Sequence, residues 1–83
     1  MNENEISYDI RGAAFKVHTT LGPGLLESVY EIALAHELKK MGYEVKSQVG
    51  LPVVYDDIKL EMGYRIDLLI NDLVIIEIKS VDA

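Results

Sequence analysis

The spacing of hydrophobic and polar positions changes once along the chain, near Gly42. In residues 5–21 and again in residues 25–41, apolar side chains recur three or four positions apart, which predicts two amphipathic helices. The predicted apolar stripe of the first helix is Ile6, Ile10, Ala13, Ala14, Val17 and Leu21. That of the second is Leu26, Tyr30, Ala33, Leu34, Leu38 and Met41. The run Gly-Pro-Gly at residues 22–24 separates the helices, and Gly42 is a natural stop for the second.

After Gly42 the apolar positions follow the two-residue period of β-strands. The expected strands are residues 43–55, 58–70 and 73–80, with turns at residues 56–57 and 71–72. The first strand should bend near residues 50–52, which contain a glycine and a proline, and Gly63 is a candidate bulge in the second. The order of elements predicts an α+β fold in which two N-terminal helices precede a three-stranded antiparallel meander.

The aliphatic stretch RIDLLINDLVIIEIKS, residues 65–80, carries Asp67, Glu77 and Lys79 inside two predicted strands. The length of the hairpin loop decides which of them share a face, because side chains alternate across a strand. A two-residue loop would mix charged and aliphatic side chains on both faces. An odd loop that pairs Ile70 with Val74 would give one continuous aliphatic face and set Asp67 opposite Glu77. We expect the odd loop, because it buries apolar area more completely.

Opposed carboxylates on paired strands have Cβ atoms about 5 Å apart. Asp67 and Glu77 would therefore repel each other unless a cation lay between them. Mg²⁺ is a hard cation that binds carboxylate oxygens, and Lys79 would point at whatever the ion binds. The alternative is a solvated strand face that carries an ordinary surface ion pair, either Arg65–Glu77 or Asp67–Lys79, which would contribute little. The pattern alone leaves both interpretations open.

Two aliphatic side chains, Leu69 and Ile75, share the predicted face with these charges. An exposed aliphatic pair inside a sheet is unfavourable, so we expect a helix to cover part of this face. The charged side chains would then lie at the rim of a cleft.

Composition narrows the class of protein. The chain has 83 residues, of which 49% are hydrophobic, and this indicates one globular domain. It has no cysteine, a polar N-terminus (MNENEIS) and no apolar run near the ~20 residues of a membrane span, so we expect a cytoplasmic protein without a membrane partner. With 8 Lys and Arg residues and a net charge of −6, any binding of nucleic acid would need a local patch, a metal ion or a second chain.

Two motifs resemble those of a known family. Asp67 followed by EIK at residues 77–79 resembles the D…ExK signature of the PD-(D/E)XK nuclease superfamily. The stretch GLLESVY is similar to the pattern that names the GxxExxY proteins, a branch of that superfamily, at Gly24, Glu27 and Tyr30. The surrounding words GAAFKVHTTLGPGLLESVYE, GYRIDLLI and IEIKSV extend the resemblance from about residue 8 to the C-terminus.

The resemblance implies a nuclease that hydrolyses phosphodiester bonds with Mg²⁺ or Mn²⁺, with DNA expected as substrate ahead of RNA. By position in the motif, Asp67 and Glu77 would hold the metal together with the backbone carbonyl of Ile78. Glu27 would complete the metal site from the second helix. Lys79 would orient the attacking water and stabilise the charge that develops on the phosphate.

Three further residues take supporting or structural roles in this interpretation. Tyr30 lies one turn after Glu27 and could flank it, or it could be a core aromatic with its hydroxyl at the rim. His18 also matches the family pattern, and a structural histidine is the favoured interpretation for it. His36 has no such match and is expected on a helix face.

The resemblance also implies a C-terminally shortened core. The superfamily fold normally continues after the position of Lys79 with a helix and a strand, so residues 1–83 would form a single domain without them. An uncovered sheet edge favours a homodimer or exchange of elements between chains. A second hypothesis is therefore a non-catalytic module that keeps the nuclease fold and acts through protein association.

Overall fold

The computed structural model describes residues 2–79, apart from the side chains of residue 53 and residues 60–64. The elements in this part of the chain are α1 (Glu3–Leu21), α2 (Glu27–Lys40), β1 (Val45–Tyr55), β2 (Ile58–Ile70) and β3 (Val74–Ile76). The strands form one antiparallel sheet in the order β1-β2-β3. The predicted α+β fold, with two helices before an antiparallel meander, is confirmed.

Capping and glycine conformation set the ends of the helices. α1 begins earlier than predicted because the side chain of Asn2 accepts a hydrogen bond from the Glu5 amide at 2.9 Å. α2 begins later, at Glu27, because Leu26 before it has an extended backbone, with ψ 147°. Gly42, with φ 95°, follows the end of α2 as predicted. Within residues 2–79, neither helix combines the length and hydropathy needed to cross a membrane.

The β1–β2 hairpin closes at the predicted turn, residues 56–57. Both turn residues have left-handed φ values, 47° and 65°, as a two-residue turn of type I′ requires. The pairing then shifts between Leu51 and Val53. The expected bend at residues 50–52 falls at this shift, and so does Gly63 on the facing strand. Beyond the shift, Ser47 pairs with Leu68 and Val49 pairs with Ile66.

The β2–β3 hairpin has the odd loop that the sequence predicts. The Leu73 amide donates to the Ile70 carbonyl at 2.9 Å, and Ile70 pairs with Val74. The loop is therefore residues 71–73, and Leu68 pairs with Ile76. Asparagine and aspartate supply the left-handed turn positions, at φ 51° and 55°, because their short polar side chains tolerate this conformation.

The third strand is shorter than predicted. It ends at Ile76, whereas the prediction ran to residue 80, which lies outside the described residues. The Ile78 amide donates to the side chain of Asp67 at 2.9 Å, so it does not donate to a backbone carbonyl as in a continued ladder. Residues 77–79 therefore lie beyond the hydrogen-bonded ladder, although their burial still alternates: Ile78 is half-buried, while Glu77 and Lys79 are exposed.

The core lies between the helices and one face of the sheet. Its buried residues are Ile6, Ala13, Val17, Leu34, Ala35, Leu38, Tyr43, Leu68 and Ile70. Val74, Ile76 and Ile78 pack against this cluster, which confirms the predicted aliphatic face of the hairpin. Four members of the predicted helix stripes are instead exposed: Ala14, Leu21, Leu26 and Met41.

The opposite face of the sheet does not receive a helix from the described part of the chain. α1 and α2 both pack on the face of Leu68 and Ile70, because that is where their buried stripes lie. Ile75 is consequently 54% exposed, and its partner Leu69 is half-buried. The expectation that a helix covers this pair is wrong for residues 2–79.

Candidate functional site

A cavity of about 550 Å³ lies between the two helices and the segment after β3. Its lining residues are Ile10, Ala14, Val17, His18, Pro23, Gly24, Leu25, Tyr30, Leu34, Ile76, Glu77, Ile78 and Lys79. Of the residues predicted to be functional, Glu77, Ile78, Lys79, Tyr30 and His18 belong to this lining. The fold thus brings the EIK segment against α1 and α2, on the helical side of the sheet.

Asp67 lies beside this cavity on the central strand. One of its carboxylate oxygens, Oδ2, accepts the Ile78 amide at 2.9 Å, and the other, Oδ1, lies 3.4 Å from the Gln48 amide nitrogen. Asp67 is half-buried and does not itself line the cavity. Its hydrogen bond to Ile78 fixes the segment that carries Glu77 and Lys79 to β2.

Gln48 connects Asp67 to α2. The register of β1 and β2 places Gln48 opposite Asp67, and Gln48 has a left-handed φ of 54°. Its side-chain amide also donates to Glu31 Oε1 at 2.6 Å. An amide NH₂ carries two donors, so one side chain can reach both carboxylates. Sequence reasoning missed Gln48 and Glu31; the available signal was that Glu31 lies one turn after Glu27, on the same side of α2.

Tyr30 fixes one wall of the cavity. Its hydroxyl donates to the Gly22 carbonyl and accepts the Leu25 amide at 3.1 Å. The ring is half-buried and packs against the core. Residues 22–25 are the loop that precedes α2, and Pro23, Gly24 and Leu25 from this loop line the cavity. The contacts of Tyr30 therefore stabilise the conformation of this loop.

Glu27 is the first residue of α2, where a carboxylate interacts favourably with the helix dipole. It is exposed and is not a lining residue of the cavity.

Across the described residues, no group of three or more His, Cys, Asp or Glu side chains is arranged to hold a metal ion. The predicted donors Asp67, Glu77 and the Ile78 carbonyl fit Mg²⁺ by chemical type, since all are oxygens, but the full predicted set is not preassembled. The role of Glu27 as a ligand stays a prediction.

The two histidines occupy different surroundings. His18 is exposed near the end of α1 and lines the cavity, while its backbone carbonyl accepts the Gly22 amide at 2.8 Å. His36 is exposed on α2 and lies outside the lining. Of the two histidines, His18 is therefore the one that a molecule bound in the cavity would contact.

The largest pKa shift in the described part of the chain lies away from the cavity. The Tyr43 hydroxyl donates to Asp9, and this hydrogen bond raises the pKa of Tyr43 to about 12. At the helix pair, the hydrogen bond from Lys16 lowers the pKa of Glu37. The Lys16 ammonium lies 3.2 Å from the Glu37 carboxylate and joins α1 to α2. These are links between elements of the fold, and neither contributes to the cavity.

A family model of the PD-(D/E)XK nuclease superfamily matches residues 4–83. The match covers nearly the whole chain, so the chain belongs to this superfamily, a class whose members generally use divalent metal ions. The superfamily resemblance read from the sequence is confirmed, while assignment to the GxxExxY branch stays a prediction. Searches of curated proteins and of solved structures found no match.

Proposed function

We propose that this chain is a cytoplasmic, metal-dependent nuclease domain that hydrolyses phosphodiester bonds of nucleic acid, with DNA the expected substrate. The observation that carries the proposal is the hydrogen bond between Asp67 and the Ile78 amide, at 2.9 Å. It ties the aspartate of one strand to the segment that presents Glu77 and Lys79 to a cavity. Membership of the superfamily supports nuclease chemistry for this arrangement.

In this proposal Asp67, Glu77 and the Ile78 carbonyl hold Mg²⁺ or Mn²⁺, and Glu27 is a further candidate ligand. The metal, when bound, supplies an activated water and polarises the phosphate. Asp67 can bind the metal and still accept the hydrogen bond from the Ile78 amide, because each carboxylate oxygen can accept more than one hydrogen bond. The donor to Asp67 is a backbone amide, which keeps Ile78 and its carbonyl close to β2 while the carboxylate binds a cation.

Lys79 has a separate role in the proposal. Lys79 lines the same cavity as Glu77. In this proposal its ammonium supplies a positive charge where the phosphate becomes more negative.

Calorimetric titration with Mg²⁺ and Mn²⁺ tests the metal site. We expect saturable binding by the unmodified chain and weakening of about tenfold or more in Asp67→Asn, since even indirect partners of a metal contribute about 10–100-fold. Asparagine retains an oxygen that can accept the Ile78 amide, so the fold should persist. Asp56→Asn, in the β1–β2 turn, is the matched control. Equal binding by both variants would contradict the proposed ligand.

Cleavage assays test the chemistry. Lys79→Met should retain metal binding but lose metal-dependent cleavage of DNA, because the positive charge is required only as the phosphate reacts. Full cleavage by Lys79→Met, or cleavage that persists in a chelator, would overturn the assigned roles. RNA in parallel reactions tests the expected preference for DNA.

The alternative is a non-catalytic module that acts through association with protein, including a second copy of the chain. Large exposed apolar side chains favour it: Phe15 and Leu26 are each 75% exposed, and Ile32 is 68% exposed. Light scattering over a range of concentrations would reveal a homodimer. Absence of metal binding together with a stable dimer would support this function over the nuclease.

A further inference from the structure

The cavity has a mixed character that suits a particular part of a nucleic acid. Ile10, Ala14 and Val17 form an aliphatic wall on α1, and Leu25 and Leu34 contribute apolar surface from the loop and α2. Apart from His18, the acidic and basic residues of the lining are Glu77 and Lys79, in the segment after β3. A volume of about 550 Å³ is in the range of sites that enclose a small organic molecule.

We infer that this cavity binds one unpaired base of a single-stranded nucleic acid, with the adjoining phosphate at Lys79. The inference rests on the proposed function and specifies its substrate. A base has apolar faces and a polar edge, so it can contact aliphatic side chains while its edge stays near polar groups. His18, exposed at the lining, offers a ring on which a base can stack.

Charge argues against a duplex as the preferred ligand. Tight binding to double-stranded DNA typically neutralises about 6–10 phosphates with Lys and Arg. In the cavity lining, Lys79 is the basic residue, apart from His18, and its formal charge is balanced by Glu77. The whole chain has a net charge of −6. The base must therefore contribute much of the binding energy, which requires that it be unpaired and accessible.

The first test compares probes, so it needs no change to the protein. Fluorescence anisotropy in a chelator would measure binding of a short single-stranded DNA and of an abasic strand of equal length. We expect the abasic strand to bind about fivefold or more weakly, which corresponds to the lower limit of ~1 kcal/mol for stacking one base. Equal affinity for the two strands, or tighter binding to the matching duplex, would overturn the inference.

The second test fills the cavity. Ala14→Phe, at an exposed position of α1 that lines the cavity, should weaken binding of the normal strand at least about fivefold and leave the abasic strand unaffected. Thr19→Phe is the matched control, because Thr19 is exposed and outside the lining. Ala14→Leu repeats the test with a smaller side chain if circular dichroism shows that Ala14→Phe is misfolded. No difference between the variants at positions 14 and 19 would refute the site.

The dependence of binding on salt concentration gives an independent measure of how many phosphates the chain contacts. Contact with one or two phosphates of a single strand predicts a slope near −1 for log K against log salt, from about −0.7 for each phosphate. A slope steeper than about −3 would mean that phosphate contacts dominate, which contradicts the inference. Because all binding is measured without metal, base-dependent binding can persist when Mg²⁺ binding and cleavage fail; that result would reject the proposed catalysis and retain the base site.

Discussion

The hydroxyl of Tyr30 offers a sharp test of how the cavity wall is held. Tyr30→Phe removes one oxygen and preserves the ring that packs against the core. Two backbone groups then lose their partner: the Gly22 carbonyl and the Leu25 amide, which lies 3.1 Å from the hydroxyl. The substitution therefore isolates the contribution of the hydroxyl to the loop before α2.

The expected loss follows from these two contacts. A hydrogen bond contributes a net stability of about 0.5–1.5 kcal/mol, and an unsatisfied buried group costs more. Leu25 is 40% exposed, so water can reach part of the vacated space and reduce the penalty. We expect the free energy of unfolding to fall by about 1–2 kcal/mol. For a domain of this size each kcal/mol lowers the melting temperature by roughly 4–8 °C.

Urea denaturation followed by circular dichroism would measure this change. Tyr8→Phe is the matched control, because Tyr8 is 71% exposed on α1. If both substitutions change the stability equally, within the roughly 0.5 kcal/mol typical of surface positions, the proposed contribution of the hydroxyl is wrong. The affinity for Mg²⁺ should be the same in Tyr30→Phe as in the unmodified chain. A weakened metal affinity would instead connect Tyr30 to the metal site.

Two further results are expected. Gln48→Asn shortens the amide so that it no longer bridges Glu31 and Asp67, and calorimetry should show Mg²⁺ binding about two- to tenfold more tightly because a competing donor is lost; weaker binding would contradict this. In an alkaline titration followed by tyrosinate absorbance, Tyr43→Phe should remove a group of pKa about 12. Since this pKa is raised above the unfolded value of about 10, the hydrogen bond stabilises the fold below about pH 10 and its contribution is lost as the pH rises through 12.

The hairpin of β2 and β3 shows why the alternation of apolar and polar side chains predicted so much of the fold. Burial of Ile66, Leu68 and Ile70 is possible on one face only, and a one-residue slip would expose all three. This large penalty is encoded in local sequence, so the odd loop could be predicted without knowing the rest of the structure. Helix ends depended on smaller effects, such as the Asn2 cap and the extended backbone of Leu26, and were predicted less accurately.

The network around Asp67 could not be predicted in the same way. A regular hairpin from the turn at residues 56–57 would pair Asp67 with Lys46. The irregularity between Leu51 and Val53 instead places Gln48 opposite Asp67. The left-handed φ of Gln48, 54°, is not specified by its residue type, since glutamine has no preference for this conformation. Tertiary packing therefore determines which donor meets the carboxylate.

The two sequence motifs have different physical explanations. Gly24 takes a left-handed φ of 93°, and an added Cβ would meet nothing within 4 Å, so backbone conformation and not crowding favours glycine. Together with Tyr30, it builds the loop that ends at α2, so stability explains these two residues of the motif but not Glu27. Glu77 and Lys79 are exposed and add no apolar burial to the core. Core packing therefore does not explain these two charges, and they are the residues on which the proposed chemistry depends.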